Sequence, residues 1–394
     1  MEVLLKDLTW INGNDRFTGD FRISRGKIQQ IGTHLIANKK ERVISFGNHY
    51  LYPGLINAHD HLEMNLYPHM GSPPYKNYTQ WANDIYRPKE SPVKEIESIP
   101  VKYRFLWGGI KNLISGVTTV IHHNPWDRML GRRDFPVRVL KQYTWAHSLA
   151  FDEKVIKNFP SRSTIPFIIH AAEGIDDAAR DEIRQLQEMG VLKKNTVLIH
   201  AVGISKRDIQ MIEEAHASVV WCPSSNFFMF GQTADIMALK KGVTIALGSD
   251  STMTGPHSLF EEMRVAEKTG QVTAREVFGM VTTAPAKIFS LPYRGIVEGG
   301  DADLLIVPVL NADYYENLLH QQAPQVTAVF ADGKFMFGDF SLVEDLNLKL
   351  HRWKLGNSVK GIAFDMAELK GAILKKTDVN NLKSNPLWQM VAGD

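Results

Sequence analysis

Between residues 54 and 247, short apolar runs alternate with longer amphipathic stretches, and this pattern limits the fold more than any other. Gly54–Ala58, Val117–Ile121, Pro166–Ile169, Thr196–Ile199, Ser218–Trp221 and Val243–Leu247 read as buried strands. Ile99–Leu113, Asp177–Glu188, Lys206–Ala215 and Ser258–Thr269 read as helices between them. Strand and helix in alternation predict parallel strands joined by crossover helices. In an α/β barrel the active site lies at the C-terminal strand ends, so the residues just after each run share one address.

The two ends of the chain read differently. Val3–Leu5, Phe21–Ser24 and Lys27–Ile31 look extended, with Arg25-Gly26 as a tight turn. Ala302–Pro308 is an apolar strand, and Val326–Phe330 and Lys334–Phe337 flank the hairpin-like Ala331-Asp332-Gly333. Residues 1–52 and 295–340 therefore predict one small β unit built from both ends, with two unrelated edge hairpins as the alternative. Residues 53–294 form the strand–helix unit, and 341–394 read as a packed helical extension of mixed charge. A chain of 394 residues has room for more than one unit.

Bulk properties exclude some partners. A formal charge of +2 gives no electrostatic reason to expect nucleic acid or an anionic membrane. No window approaches the roughly 18 uninterrupted apolar residues of a membrane span, and the first residues lack a signal-peptide pattern. The single cysteine, Cys222, rules out an intramolecular disulfide and any multi-cysteine zinc site, and fits a reducing cytoplasm. It also excludes the small deaminases whose Pro-Cys-x-x-Cys motif needs two cysteines. A soluble cytoplasmic protein is expected, with a homodimer among the allowed assemblies.

Four strand ends carry residues with metal or acid–base chemistry. In Pro53-Gly54-Leu55-Ile56-Asn57-Ala58-His59-Asp60-His61, positions i and i+2 of an extended chain bring His59 and His61 to one face. Paired neutral imidazoles suit zinc or iron. Phe167-Ile168-Ile169-His170-Ala171-Ala172-Glu173 ends a strand in a histidine with a carboxylate close behind. Val197-Leu198-Ile199-His200 repeats the strand-end histidine, and Leu247-Gly248-Ser249-Asp250 ends a buried strand in a carboxylate that a cation would neutralise. Singly, each has a structural alternative: loop histidines, an acid at a helix N-terminus, a capped core histidine, an aspartate in a turn. Four strand ends in this order predict one metal-centred site.

The segments PGLINAHDH, HAAE, HAVGIS followed by WCPSSN, LGSDS followed by SLFEEMR, TTAPAKIFSL and EGGDADLLIV resemble the amidohydrolase superfamily over residues 1–340. The likeness is to its branch of atrazine-type chlorohydrolases, guanine and cytosine deaminases and adenosylhomocysteine deaminases. It implies a (β/α)8 TIM-like barrel with a β-sandwich made from both chain ends. It implies one divalent metal ion, zinc first and iron second, on His59, His61, His170 and Asp250. Glu173 then matches the acid/base, His200 a group orienting water, and Asp250 a proton relay toward the leaving group. The implied reaction is hydrolytic deamination of a nitrogen heterocycle such as a purine, pterin, pyrimidine or triazine. Cyclic-amide hydrolysis and loss of chloride or an alkylamine are the alternatives within enzymes; an inactive binding protein on the same fold is the alternative from another class.

The chain also departs from that pattern. The stretch from Ile121 to His170 is short for two full strand–helix units: Val137–Phe151 is its only strand region, and Asp152–Ile165 is all that remains. An irregular barrel around strands 3 and 4 is expected. Trp81 is placed to stack on a flat ring, or else packs an amphipathic helix. Thr79 and Tyr67-Pro68-His69 replace an acid and an arginine of nucleoside-deaminating relatives, which disfavours a ribosylated substrate. His122 and His123 resemble substrate-carbonyl contacts, with core or loop histidines as the alternative. Asn226 reads as support for the loop. Lys141 is the test of a binuclear centre bridged by a carboxylated lysine, and its surroundings do not match that pattern.

Overall fold

The computed structural model describes residues 2–152, 154–161 and 164–391. Its centre holds eight parallel strands in two sheets. Leu55–Asp60, Val117–His122 and Arg138–Val139 form a sheet of three; Thr144–Ala146, Phe167–Ala171, Thr196–His200, Ser218–Trp221 and Ile245–Leu247 form one of five. The helices Val101–Leu113, Asp177–Glu188, Lys206–Glu214 and Leu259–Lys268 lie close to where the periodicity places them. Ser205 closes a capping box on the third and Ser258 caps the fourth, which fixes where each helix starts.

The α/β class with parallel strands agrees with the sequence, but the described strands pair as two sheets and not as one closed barrel. The reason is local. Only Leu140–Tyr143 separates Arg138–Val139 from Thr144–Ala146, too few residues for a crossover helix, and both strands are very short. The expected irregularity at strands 3 and 4 falls here. Asp152–Ile165 contains Val155–Asn158 as a one-turn helix; Glu153, Arg162 and Ser163 lie outside the described residues. The two sheets still share an interior. Ala58 and Ile121 from one pack with Ile168, Ile199, Val220 and Ala246 from the other. At the far edges, the Asp250 amide donates to the His59 carbonyl at 3.0 Å.

Both chain ends build a second structure, in which nine strands follow one another in a single hydrogen-bonded order. The order folds over on itself, because Phe21, Ile23 and Ile28 share one core with Phe330 and Phe335, as the expected sandwich requires. Arg42–Pro53 spans 12 residues, long enough to pair with Val3–Asn12 on one side and Leu304–Pro308 on the other, which joins both ends into one sheet. One expectation needs correction: the segment after residue 340 is not purely helical. His351–Leu355 and Ser358–Ile362 form a hairpin that extends the same sheet beyond Lys334–Asp339. Trp353 and Leu355 are buried while Arg352 and Lys354 are exposed, and Gly356 takes φ +57° at the turn; this is strand alternation, not helical periodicity. Met366–Leu374 and Pro386–Val391 are the helices that follow, and residues 392–394 lie outside the described residues. No helix among the described residues is long and apolar enough to cross a membrane.

Candidate active site

The C-terminal ends of the parallel strands bring together residues far apart in sequence. The ligand atoms of His59, His61, His123 and His170 lie within 4.8 Å of one another, as do those of His59, His200 and Asp250, and those of His170, Glu173 and His200. Asp250 Oδ1 is 3.8 Å from His59 Nε2 and 3.7 Å from His61 Nε2. Such spacings suit atoms sharing one ion at bond lengths of about 2.1 Å. All seven side chains are buried. His61, His170, Glu173, His200 and Asp250 line a cavity of about 330 Å³.

Hydrogen bonds on the outward side of three of the rings set which nitrogen faces inward. His170 Nδ1 donates to the His147 carbonyl at 2.7 Å, leaving Nε2 free. His200 Nδ1 donates to Asn226 Oδ1 at 2.9 Å, and Asn226 in turn donates to Thr233 at 3.0 Å. His123 Nε2 donates to the Ala146 carbonyl at 3.0 Å, across the gap between the two sheets. Both nitrogens of His59, and His61 Nδ1, His123 Nδ1 and His200 Nε2, are buried without a partner. Burial lowers the pKa of His59, His123, His170 and His200; neighbouring imidazoles add to the effect at the first three, and Asp250 opposes it at His200. Buried lone pairs converging on one point are costly unless a cation accepts them. The donor set, imidazole with carboxylate, suits zinc.

Asp250 and Glu173 are driven apart in protonation. Burial alone would raise Asp250, but His61 and His200, the Ser251 amide at 2.6 Å and the Ser225 hydroxyl at 2.9 Å hold it low; Thr254 also donates at 2.9 Å. Glu173 is pushed well above the usual carboxylate range, first by burial and then by Asp250 and Glu182. Its Oε1 lies 3.5 Å from His200 Nε2. The surroundings thus push the two carboxyls in opposite directions, the division a hydrolytic site needs. Ala172 (φ +51°), His200 (φ +73°), Ala201 (φ +52°) and Asp250 (φ +54°) adopt left-handed backbone at the strand ends. Strain of this kind, at about 1–3 kcal/mol each, concentrates where function requires a fixed geometry.

Behind the His-x-His strand lies a fully buried polar network. Lys111 Nζ bonds Asn65 Oδ1 at 2.8 Å, the Asp250 carbonyl at 3.0 Å, Ser249 Oγ at 3.2 Å and Asp60 Oδ2 at 3.3 Å. Asn65 and Asn112 also donate to Asp60, at 2.7 and 2.8 Å. The middle residue of His59-Asp60-His61 is thereby tied to the loop that carries Asp250.

Trp81 lines the cavity, with its indole N–H anchored on the Met70 carbonyl at 2.9 Å. His122 does not face the cavity: its Nδ1 accepts from the Leu62 amide at 3.4 Å and its Nε2 lies 3.8 Å from Glu63. His123 sits in the imidazole cluster and not on the cavity wall. Lys141 is exposed on the short link between strands, away from the cluster. Sequence reasoning missed His147, which lines the cavity and holds His170. It follows the strand Thr144–Ala146, so the strand-end rule that located His170 and His200 could have found it.

Comparison with known proteins agrees with these motifs. The model of the Amidohydrolase family matches residues 144–336. A 5-methylthioadenosine/S-adenosylhomocysteine deaminase of Pyrococcus furiosus is 25% identical, covering 84% of this chain and 94% of the relative. A 5'-deoxyadenosine deaminase of Methanothrix thermoacetophila is 24% identical over 73% of this chain and 81% of the relative. An adenosine deaminase from Xanthomonas campestris, solved with bound zinc, superposes with a TM-score of 0.72 at 17% identity, covering 97% of this chain and 99% of the other. An atrazine chlorohydrolase variant from Arthrobacter aurescens, solved with zinc and atraton, gives 0.71 at 15% identity, covering 98% and 100%. The resemblance carried by the motifs therefore agrees with the amidohydrolase match and with relatives named as adenosine-type deaminases, and the two solved structures share the fold.

Proposed function

We propose that this chain is a metal-dependent aminohydrolase that removes an amino group from a nitrogen heterocycle, a purine being the first candidate. One observation carries this reading: unpartnered imidazole nitrogens and the Asp250 carboxylate converge at one end of a cavity, with Glu173 beside His170 and His200. His59, His61, His170 and Asp250 would hold one divalent ion, zinc first and iron second. When bound, it lowers the pKa of water to about 7 and supplies the nucleophile at neutral pH.

The chain's own residues do the rest. Glu173 is placed to give its proton to the ring nitrogen next to the attacked carbon. His200 Nε2, fixed by Asn226, orients groups at that carbon, and Asp250 passes a proton toward the departing amine. Trp81 offers a ring face for stacking, while Met64, Ile85 and Met253 keep water from the bound heterocycle. His123 fits a supporting position in the imidazole cluster better than a substrate contact. The relatives named for deamination of adenosine-type compounds support the choice of a purine ring. The buried, lone Cys222 supports a reducing, cytoplasmic setting.

The test is release of ammonia by zinc-loaded enzyme from a panel of aminopurines, aminopterins, aminopyrimidines and aminotriazines, with chloro- and alkylamino-triazines alongside. Ammonia from at least one ring class is expected. Chloride or alkylamine release without ammonia would move the reading to the chlorohydrolase type. Glu173→Gln should keep its zinc and lose about 100- to 10,000-fold in kcat; a zinc-loaded Gln variant at full activity would remove Glu173 from the chemistry.

A further inference from the structure

Arg104 lies in the first turn of the helix Val101–Leu113 and lines the cavity that holds Glu173 and Asp250. Its Nε is buried with no hydrogen-bond partner. Among the described residues no carboxylate pairs with its guanidinium. Glu97 lines the same cavity but is exposed and makes no ion pair with it. A guanidinium stays charged at any physiological pH and offers five donors in a planar fork that matches a carboxylate or phosphate. Leaving a buried donor of a charged group unmade is expensive, so a cation in this state inside a ligand cavity points to the ligand as its partner.

The surroundings agree with such a role. Tyr67 lies near both Arg104 and Glu97, lines the cavity, and is pushed up to about 12 by burial and Glu97, so its hydroxyl remains a donor. Seven residues further along the same helix, Lys111 holds Asp60 behind the metal cluster. At about 1.5 Å per residue this puts Arg104 about 10 Å along the axis from Lys111, apart from the ligand cluster. The same cavity is also lined by the apolar side chains of Ile85, Val93 and Met253 and by Trp81.

Resting on the aminohydrolase reading, we infer that Arg104 receives an acidic substituent of the substrate, so that the heterocycle taken by this enzyme carries a carboxylate or a phosphate. The test uses zinc-loaded enzyme and aminopurines and aminopterins offered in matched sets, with a carboxylate, a phosphate or an uncharged carboxamide at one position. Ammonia release should favour an acidic member by about 10- to 100-fold in kcat/KM. Arg104→Met and Arg104→Gln should erase that preference, raising KM for the acidic member about 10- to 100-fold more than for the carboxamide, and Arg104→Lys should restore part of it. The carboxylate and phosphate arms then identify the acid. Equal use of charged and uncharged members by the wild type, or equal losses for both in the variants, overturns the assignment while leaving the aminohydrolase reading intact. No ammonia from any member overturns the Arg104 assignment, and no ammonia from the wider panel of pyrimidines and triazines as well removes the aminohydrolase reading.

Discussion

Asn226 gives a clean handle on His200, because its side-chain oxygen fixes the imidazole without touching any proposed metal ligand. Removing it frees the tautomer and the ring orientation together. Outer partners of this kind are worth about 10- to 100-fold. Asn226→Ala is therefore expected to lower kcat by that factor with zinc content unchanged, as read by steady-state rates and metal analysis; loss of zinc would make Asn226 a support of the metal instead. Lys111 presents the opposite case, a residue whose loss is felt in stability. Lys111→Met would leave buried Asp60 with the side-chain amides of Asn57, Asn65 and Asn112 and the Ser249 hydroxyl, and without its cationic partner. Removing one partner of a buried pair costs about 3–5 kcal/mol. Denaturant unfolding should show that loss, and Asp60→Asn added to Lys111→Met should recover most of it; an additive double variant would deny the coupling. These two residues also mark what a sequence discloses. His59, His61, His170, His200 and Asp250 could be read because each ends an apolar run. Lys111 could not, since one lysine in a helix looks like any solvated charge until packing closes over it.

At the level of elements, strands and helices with a strong period were legible, and their limits were set by caps such as Ser205 and Ser258. What escaped was pairing. Nothing local in Arg138–Val139 or Thr144–Ala146 says that two such short strands enter different sheets, and the tertiary bond from His123 to Ala146 crosses the gap. A buried acid in the helix Leu259–Lys268 shows a second hidden effect. Glu262 is wholly buried; Oε1 accepts from the Ser224 amide at 3.1 Å and Oε2 has no partner. Burial pushes it up to about 8 from an ordinary value of 4.5. In this range the folded chain binds the proton more tightly than the unfolded one. Stability from this group is whole below about 4.5 and falls as pH rises, until the loss is complete above about 8. At about 1.4 kcal/mol per pH unit the drop between pH 5 and 8 is roughly 4 kcal/mol at most. Glu262→Gln should flatten that part of the stability profile, measured by denaturant unfolding at both pH values; an unchanged slope would assign the pH dependence to other acids.

At the scale of the whole molecule, the chain's last segment does more than cover the surface. Trp388 packs on Trp107 at 5.3 Å between ring centroids, and both rings are buried. Asn385 donates to the Asn65 carbonyl at 2.9 Å and the Tyr67 carbonyl at 3.0 Å. Trp107 belongs to the helix that carries Arg104 and Lys111, and Asn65 and Tyr67 belong to the loop leaving His61. The final helix thus braces, from the end of the sequence, the two elements that fix the His-x-His pair and the proposed substrate cation. Two variants separate packing from bracing. Trp388→Ala removes a large buried ring and should cost about 3–5 kcal/mol in unfolding free energy. Asn385→Ala removes little volume but leaves two buried carbonyls without their donor, at about 1–3 kcal/mol. If bracing reaches the site, Asn385→Ala should also loosen zinc, seen as faster loss of metal to a chelator under conditions where the fold is intact. Trp388→Ala, compared at matched stability in a milder buffer, should lose zinc more slowly than Asn385→Ala. Equal chelation rates for the wild type and Asn385→Ala would confine this segment to holding the fold together.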